Sequence, residues 1–321
     1  MQLPPPQVTR AVIRRYAQLL SRYRSEFGVR PLVVPDASFF PDVFRPDAAS
    51  LERIARRMQI HAGMCDIPIL PVIGSEQPAD SAPSSCSNGA CAVPASVTSG
   101  APRLLDDGDG WRILVPEAEL RHPVALTTNL ARSLAFIFLI ETQREGEALE
   151  PPLDVTADLV ATALGFGPLL LQGAHIYAKG CGGPQIASVT KVPLPELSVA
   201  VALFAALGGH PLAPALKALD ATQRSLLAEA RDLLHGNQEL IELIELHPDL
   251  VACGEFDLDA PGSFLTNWLR KGRRRRQASE LSTVAAAVQL QTEHPEAHEV
   301  EALMIAMPPS SRAGRANSAT S

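Results

Sequence analysis

The sequence predicts a mainly α, α+β protein: a helical core with a small N-terminal sheet or hairpin. Three observations carry this. Apolar residues recur at three- and four-residue spacing over most of the chain. Short β-type runs bounded by Gly, Pro and Asp cluster between residues 30 and 115. The 321 residues are 46% hydrophobic, enough for a sizeable core and against wholesale disorder. No strict repeat is present, which excludes collagen-like and solenoid arrays.

Residues 7–27 place Val8, Val12, Tyr16, Leu19, Leu20, Tyr23 and Phe27 on one helical face, with Arg on the other. Residues 30–35 are a short apolar run between prolines and read as a strand. Residues 36–46 are a loop of Phe, Pro and Asp. Residues 47–63 read as a helix, with Pro46 and Asp47 suited to its start and Gly63 to its stop. Residues 67–73 alternate but contain proline, which suits an edge strand. Residues 76–102 are dominated by Ser, Ala, Pro and Gly without periodicity and read as a loop or linker. Residues 103–105 and 111–115 flank Asp106-Asp-Gly-Asp-Gly110, which predicts a β-hairpin.

A helical block follows: 122–141, then 154–177 with a kink at 165–168, then 193–207. Shorter helices are expected near 212–219, 221–235 and 237–246, separated by Gly and His-Pro breaks. Residues 256–269 carry a weaker pattern. Residues 278–291 read as a last helix before a Ser/Ala/Arg tail expected to be disordered. The organisation is thus 1–75, helices and short strands; 76–102, a flexible loop; 103–269, the helical core; and 270–321, a basic linker, a helix and the tail.

Charge is uneven. The net of −7 divides into +5 over residues 1–60, −15 over 61–269 and +3 over 270–321. An acidic centre argues against a nucleic-acid groove there, because phosphate binding needs positive charge. Only four of the 28 basic residues are Lys, which reads as a codon-usage bias. The start, Met1-Gln-Leu-Pro-Pro-Pro6, lacks the pattern of an export signal. Five cysteines, an odd number, make a poor disulfide framework. Both point to a cytoplasmic setting. Residues 159–178 and 197–216 each run twenty positions without a formal charge. Their Gly, Pro, Gln and His interruptions favour buried helices over membrane spans.

The first core helix reads His122-Pro-Val-Ala-Leu-Thr-Thr-Asn-Leu-Ala-Arg-Ser-Leu-Ala-Phe136 onward. The second begins Asp154-Val-Thr-Ala-Asp-Leu-Val-Ala-Thr-Ala-Leu-Gly-Phe-Gly167. Together, and by element order over roughly residues 30–240, they resemble an uncharacterised bacterial family with a zincin-like, metalloprotease-type arrangement. The resemblance implies an apolar helix carrying H-E-x-x-H. It also implies a second helix with a T-x-D-L-like start, an acidic third ligand and an L-G-x-G stretch. In H-E-x-x-H, two His one turn apart bind zinc and the Glu activates the metal-bound water.

This chain departs from that motif. Arg132 stands at the first His, Ser133 at the Glu and Phe136 at the second His, while the acidic element persists as Asp154 and Asp158. Arg cannot lose its proton to bind zinc, and Phe has no donor atom. The same residues also read as a buried core helix that never held metal. Both readings place no zinc there. A guanidinium among Leu130, Leu134, Phe136 and Phe138 must be paired, so Asp158 or Asp154 is expected to pair with Arg132.

The cysteines offer another chemistry. Cys86 and Cys91 lie five apart around a Gly turn, and Cys181 sits in Lys179-Gly-Cys-Gly-Gly-Pro184. With a His such as His175 they could form a soft zinc site or a redox pair. They also read as incidental loop and turn cysteines; Cys65 and Cys253 stand alone. Lys179–Pro184 lacks the order of a phosphate loop. His175 and Tyr177 read as a helix-end pair or a pocket lining. The run 270–276, with six basic residues in seven, reads as a solvated linker or a contact for nucleic acid, acidic lipid or an acidic partner. No G-x-S-x-G and no dinucleotide fingerprint is present.

The expectation is therefore a non-catalytic zincin-like protein without cofactor, serving an interaction or structural role with an unknown protein partner. The alternatives are a metal- or thiol-dependent protein using Cys86, Cys91 and Cys181, and a nucleic-acid-associated protein using 270–276.

Overall fold

A computed structural model describes residues 2–74, 103–144, 151–180 and 183–259. All lie in one compact unit, Met1–Ser263; a second unit, Phe264–Ser321, holds none of them. The expected loop 76–102, the basic run 270–276, the helix 278–291 and the tail lie outside the described residues. So do Cys86, Cys91 and Cys181.

The described fold is mostly helical with two small sheets. Helix α1 (Pro6–Phe27) buries Val12, Tyr16, Leu19, Tyr23 and Phe27, the face set by its apolar spacing. Helix α2 (Ala48–Ala62) starts where the Asp47 carboxylate accepts the Ser50 N–H at 2.7 Å and stops at Gly63, φ +66°.

Strands β1 (Ile69–Gly74), β2 (Leu104–Asp106) and β3 (Trp111–Pro116) form a sheet of order β1-β3-β2. The β2–β3 hairpin is antiparallel. Strand β1 lies parallel to β3 at the edge, where Pro71 is tolerated. Ile113 and Val115 of β3 point into the core.

Helix α3 (Pro123–Glu141) is buried along most of its length. Its Phe138 ring stacks on Phe27 of α1 at 5.0 Å and meets Tyr23 edge-on at 5.8 Å. Helix α4 (Leu153–Ala161) passes through a π-helical turn (Thr162–Phe166) into α5 (Gly167–Ala174). Helix α6 (Leu194–Leu207) packs against α1, α5 and α8 (Ala221–His235). Helices α7 (Ala213–Ala218), α9 (Gln238–Leu246) and α10 (Pro248–Cys253) complete the described chain. By length and composition, Pro123–Glu141 and Leu153–Ala174 could each cross a membrane, but both are mostly buried inside the protein.

Two elements differ from the sequence reading. Residues 30–35 form no strand. Leu32, Val33 and Val34 are buried, but among the described residues no strand pairs with them; the Val33 N–H donates instead to the Gly165 carbonyl at 2.9 Å. The apolar run is a core-lining loop whose Val33 N–H is satisfied by the π turn. Second, the helix expected to reach Tyr177 ends at Ala174. His175 leaves the helical region, and β4 (Ile176–Gly180) pairs antiparallel with β5 (Gly183–Ala187), Tyr177 opposite Ile186. The pairing runs to Gly180 opposite Gly183, and the β-favouring Ile-Tyr pair starts β4.

The L-G-F-G stretch has a packing reason. Gly165 has φ +94°, and a Cβ there would fall 2.0 Å from the Pro31 carbonyl oxygen. A Cβ on Gly167 would meet Val201 of α6 at 2.6 Å, and one on Gly173 would meet Thr128 Oγ1 at 2.2 Å. That hydroxyl lies 2.8 Å from the Val124 carbonyl and 3.0 Å from that of Leu169, so α3 and α5 touch nearly backbone to backbone. Gly165→Ala is expected to cost about 2–4 kcal/mol in urea unfolding. Gly209→Ala, also at positive φ but with nothing within 4 Å, should cost only about 1 kcal/mol.

Candidate functional site

Arg132 sits mid-way along α3 among Leu130, Ala131, Leu134, Ala135 and Phe136, and its side chain is 1% exposed. Helix α4 presents Asp154 in its first turn and Asp158 one turn later, both toward α3. Arg132 Nε donates to Asp158 Oδ1 at 2.5 Å, and Nη2 donates to Asp154 Oδ1 at 3.0 Å. The expected pairing is present, and it involves both carboxylates.

The two acids are not equivalent. Asp158 is fully buried, while the Asp154 side chain is 44% exposed. Asp158 Oδ2 also accepts the backbone N–H groups of Lys191 at 2.6 Å and Val192 at 2.8 Å. One carboxylate therefore ties α4 to α3 and to the loop between β5 and α6. That loop is further fixed by Thr190 Oγ1, which donates to the Val192 carbonyl at 2.9 Å. Burial pushes the Asp158 carboxyl upward; the Arg132 charge and the two N–H donors pull against that rise.

The donor set does not fit zinc. A guanidinium carries no lone pair to give, Phe136 has no donor, and Asp158 already accepts three hydrogen bonds. Ser133 and Phe136 are buried, at 4% and 8% exposure. Among the described residues no three His, Cys, Asp or Glu side chains cluster as metal ligands. A cleft lined by Gln18, Arg22, Leu153 and Thr156 lies where α1 meets α4. Its volume is about 20 Å³, room for one water and not for a substrate. At the same seam Arg15 Nη2 donates to Thr156 Oγ1 at 2.7 Å.

His175 and Tyr177 are not brought together as a pocket. His175 Nδ1 is buried 3.7 Å from Asp220 Oδ2, and Tyr177 stands 60% exposed on β4. Sequence reasoning missed the Lys191 and Val192 amides, which carry no side-chain signal. It also missed Glu119, whose carboxylate is buried and accepts a hydrogen bond from Asn129 Nδ2 at 2.7 Å.

No family model matches the chain, and neither a curated protein nor a solved structure matches it significantly. The chemistry of the site therefore rests on its own geometry: a satisfied ion pair, closed to solvent at Asp158 and open at Asp154.

Removing one partner of a buried pair strands the other. Arg132→Met is expected to cost about 3–5 kcal/mol in chemical denaturation, and Asp154→Asn less than about 1 kcal/mol. Adding Asp158→Asn to Arg132→Met should cost much less than Asp158→Asn does alone, a double-mutant coupling that would be absent if the groups acted independently.

Proposed function

We propose that this protein is a non-catalytic helical scaffold of zincin-like layout, with a structural or protein-interaction role. In this reading an ion pair stands where related chains would hold a metal. One observation supports it above the others. The residue at the first-ligand position on α3, Arg132, is hydrogen-bonded to Asp158, the acidic position of the T-x-D-L stretch on α4. In this reading the two helices carry, at the would-be ligand positions, a pair whose chemistry is unsuited to activating water. A guanidinium is a permanent cation, and a carboxylate saturated by three donors is a poor base. The pair supplies cohesion between α3, α4 and the loop 188–192.

The test is metal content and metal dependence of the full-length protein. The expected result is no zinc whose loss on chelation lowers the melting temperature or abolishes any peptidase activity. The combined variant Arg132→His, Ser133→Glu, Phe136→His should gain zinc binding, and Asp158→Asn in that background should weaken it. Stoichiometric zinc in the unaltered protein that is lost with Asp158→Asn would refute the reading. Zinc that is instead lost with Cys86→Ser would move the function to the thiols.

A further inference from the structure

Helix α10 packs on α1, and the chain leaves it at Gly254 in an extended conformation, φ −91° and ψ 170°. The run Gly254–Asp259 is neither helix nor strand. Its side chains alternate: Phe256 and Leu258 pack on the core, while Glu255 and Asp257 stand exposed. Two side chains from other elements read its main chain. Arg14 of α1 donates from Nη2 to the Gly254 carbonyl and to Glu255 Oε1, both at 3.2 Å, and its guanidinium lies 5.9 Å from the centre of the Phe256 ring. Asn237, between α8 and α9, takes both main-chain polar groups of one residue. Its Nδ2 donates to the Asp259 carbonyl at 3.1 Å, and its Oδ1 accepts the Asp259 N–H at 2.9 Å.

We infer that the surface framed by Arg14 and Asn237 is a recognition site for an extended acidic segment of the form aromatic-x-aliphatic, occupied here by the chain's own residues 254–259 and exchangeable for the same motif on a partner protein. Hydrogen bonds to the main chain hold an extended peptide in register, and seats for alternate side chains select its sequence. Asn237 suits the first task. It is 2% exposed, and its Nδ2 also donates to the Leu233 carbonyl at 2.7 Å, so its amide is aimed by α8 independently of the segment it reads. Arg14 suits the second. Its charge matches a run that holds Glu255, Asp257 and Asp259 and no basic residue, and its planar head covers the aromatic anchor.

The present occupant is held lightly for a segment that touches the core. Phe256 and Leu258 are only half-buried, and the Glu255 side chain is 92% exposed. Among the described residues no strand pairs with the run. Few buried contacts oppose its release, which sets it at the low end of local stability. None of the residues around Arg132 takes part. The site is therefore independent of the zincin-like reading, and it gives the interaction role a partner chemistry.

The probe is a fluorescent peptide of residues 254–259, Gly-Glu-Phe-Asp-Leu-Asp. Its anisotropy would be followed with the full-length protein and with the full-length variant Phe256→Ala/Leu258→Ala, whose own segment has lost its anchors. The expected result is binding about ten-fold tighter to the variant, because a tethered competitor has been weakened. Adding Asn237→Ala, with helical circular dichroism retained, should weaken that binding about ten-fold, and a peptide with Ala for Phe and Leu should not bind. A folded variant that fails to bind the peptide, or binds it regardless of Asn237, would overturn the inference. Should the variant not fold, hydrogen exchange of residues 254–259 in the unaltered protein decides. Exchange about ten-fold faster with excess peptide supports displacement, and unchanged exchange refutes it. A doubled mass of the unaltered protein in light scattering, lost with Phe256→Ala, would make a second copy the occupant and overturn the partner reading.

Discussion

A carboxylate with no access to water is the constraint around which the described core is arranged. Asp158 would be intolerable in its place without donors, and the fold brings three to it from two separate segments. Arg132 arrives from α3, and the two amides arrive from the loop leading into α6. Each donor is itself buried or backbone, so none can be withdrawn without stranding the acid. A buried pair repays little beyond its own desolvation, yet removing either partner strands the other.

That packing needs helices at close range. Thr128 can lie within reach of the Leu169 carbonyl only because Gly173 offers no side chain. Gly165 lets the loop at Pro31–Val33 lie against the π turn, where the Val33 N–H finds its acceptor. The same chain segment therefore presents Asp158 to α3 and glycine surfaces to α3, α6 and the N-terminal loop. Rigidity at the charged pair and intimacy at the glycines are two aspects of one helix–turn–helix unit, Leu153–Ala174.

Much of the architecture was legible in the residues. Periodicity located α1, α2, α3 and α6, the Asp47 cap and Gly63 stop bounded α2, and the Asp-Gly turn marked the β2–β3 hairpin. What misled was local resemblance between different buried states. Leu32–Val34 has the composition of a strand, yet a strand exists only if another lies beside it to share hydrogen bonds. Ile176 and Tyr177 continued an apolar helix in sequence, yet formed β4 once 183–187 returned alongside. The charged pair was anticipated because a buried Arg in an apolar helix demands a counter-ion, and the zincin-like resemblance pointed to Asp154 and Asp158 as the acids. The amides that complete it were not, because every residue but proline has one.

By itself the sequence determined which helical faces must be buried, and that an Arg among them could never bind a metal and would need a counter-ion. These are properties of residue chemistry and helical period, fixed along the chain before any contact is made. Tertiary structure alone decided that Asp158 lies deep and Asp154 at the surface, that a distant loop donates two N–H groups, and that Glu119 loses its water. Those outcomes depend on which segments meet in space, and desolvation is set by the neighbours a group acquires, not by its own chemistry.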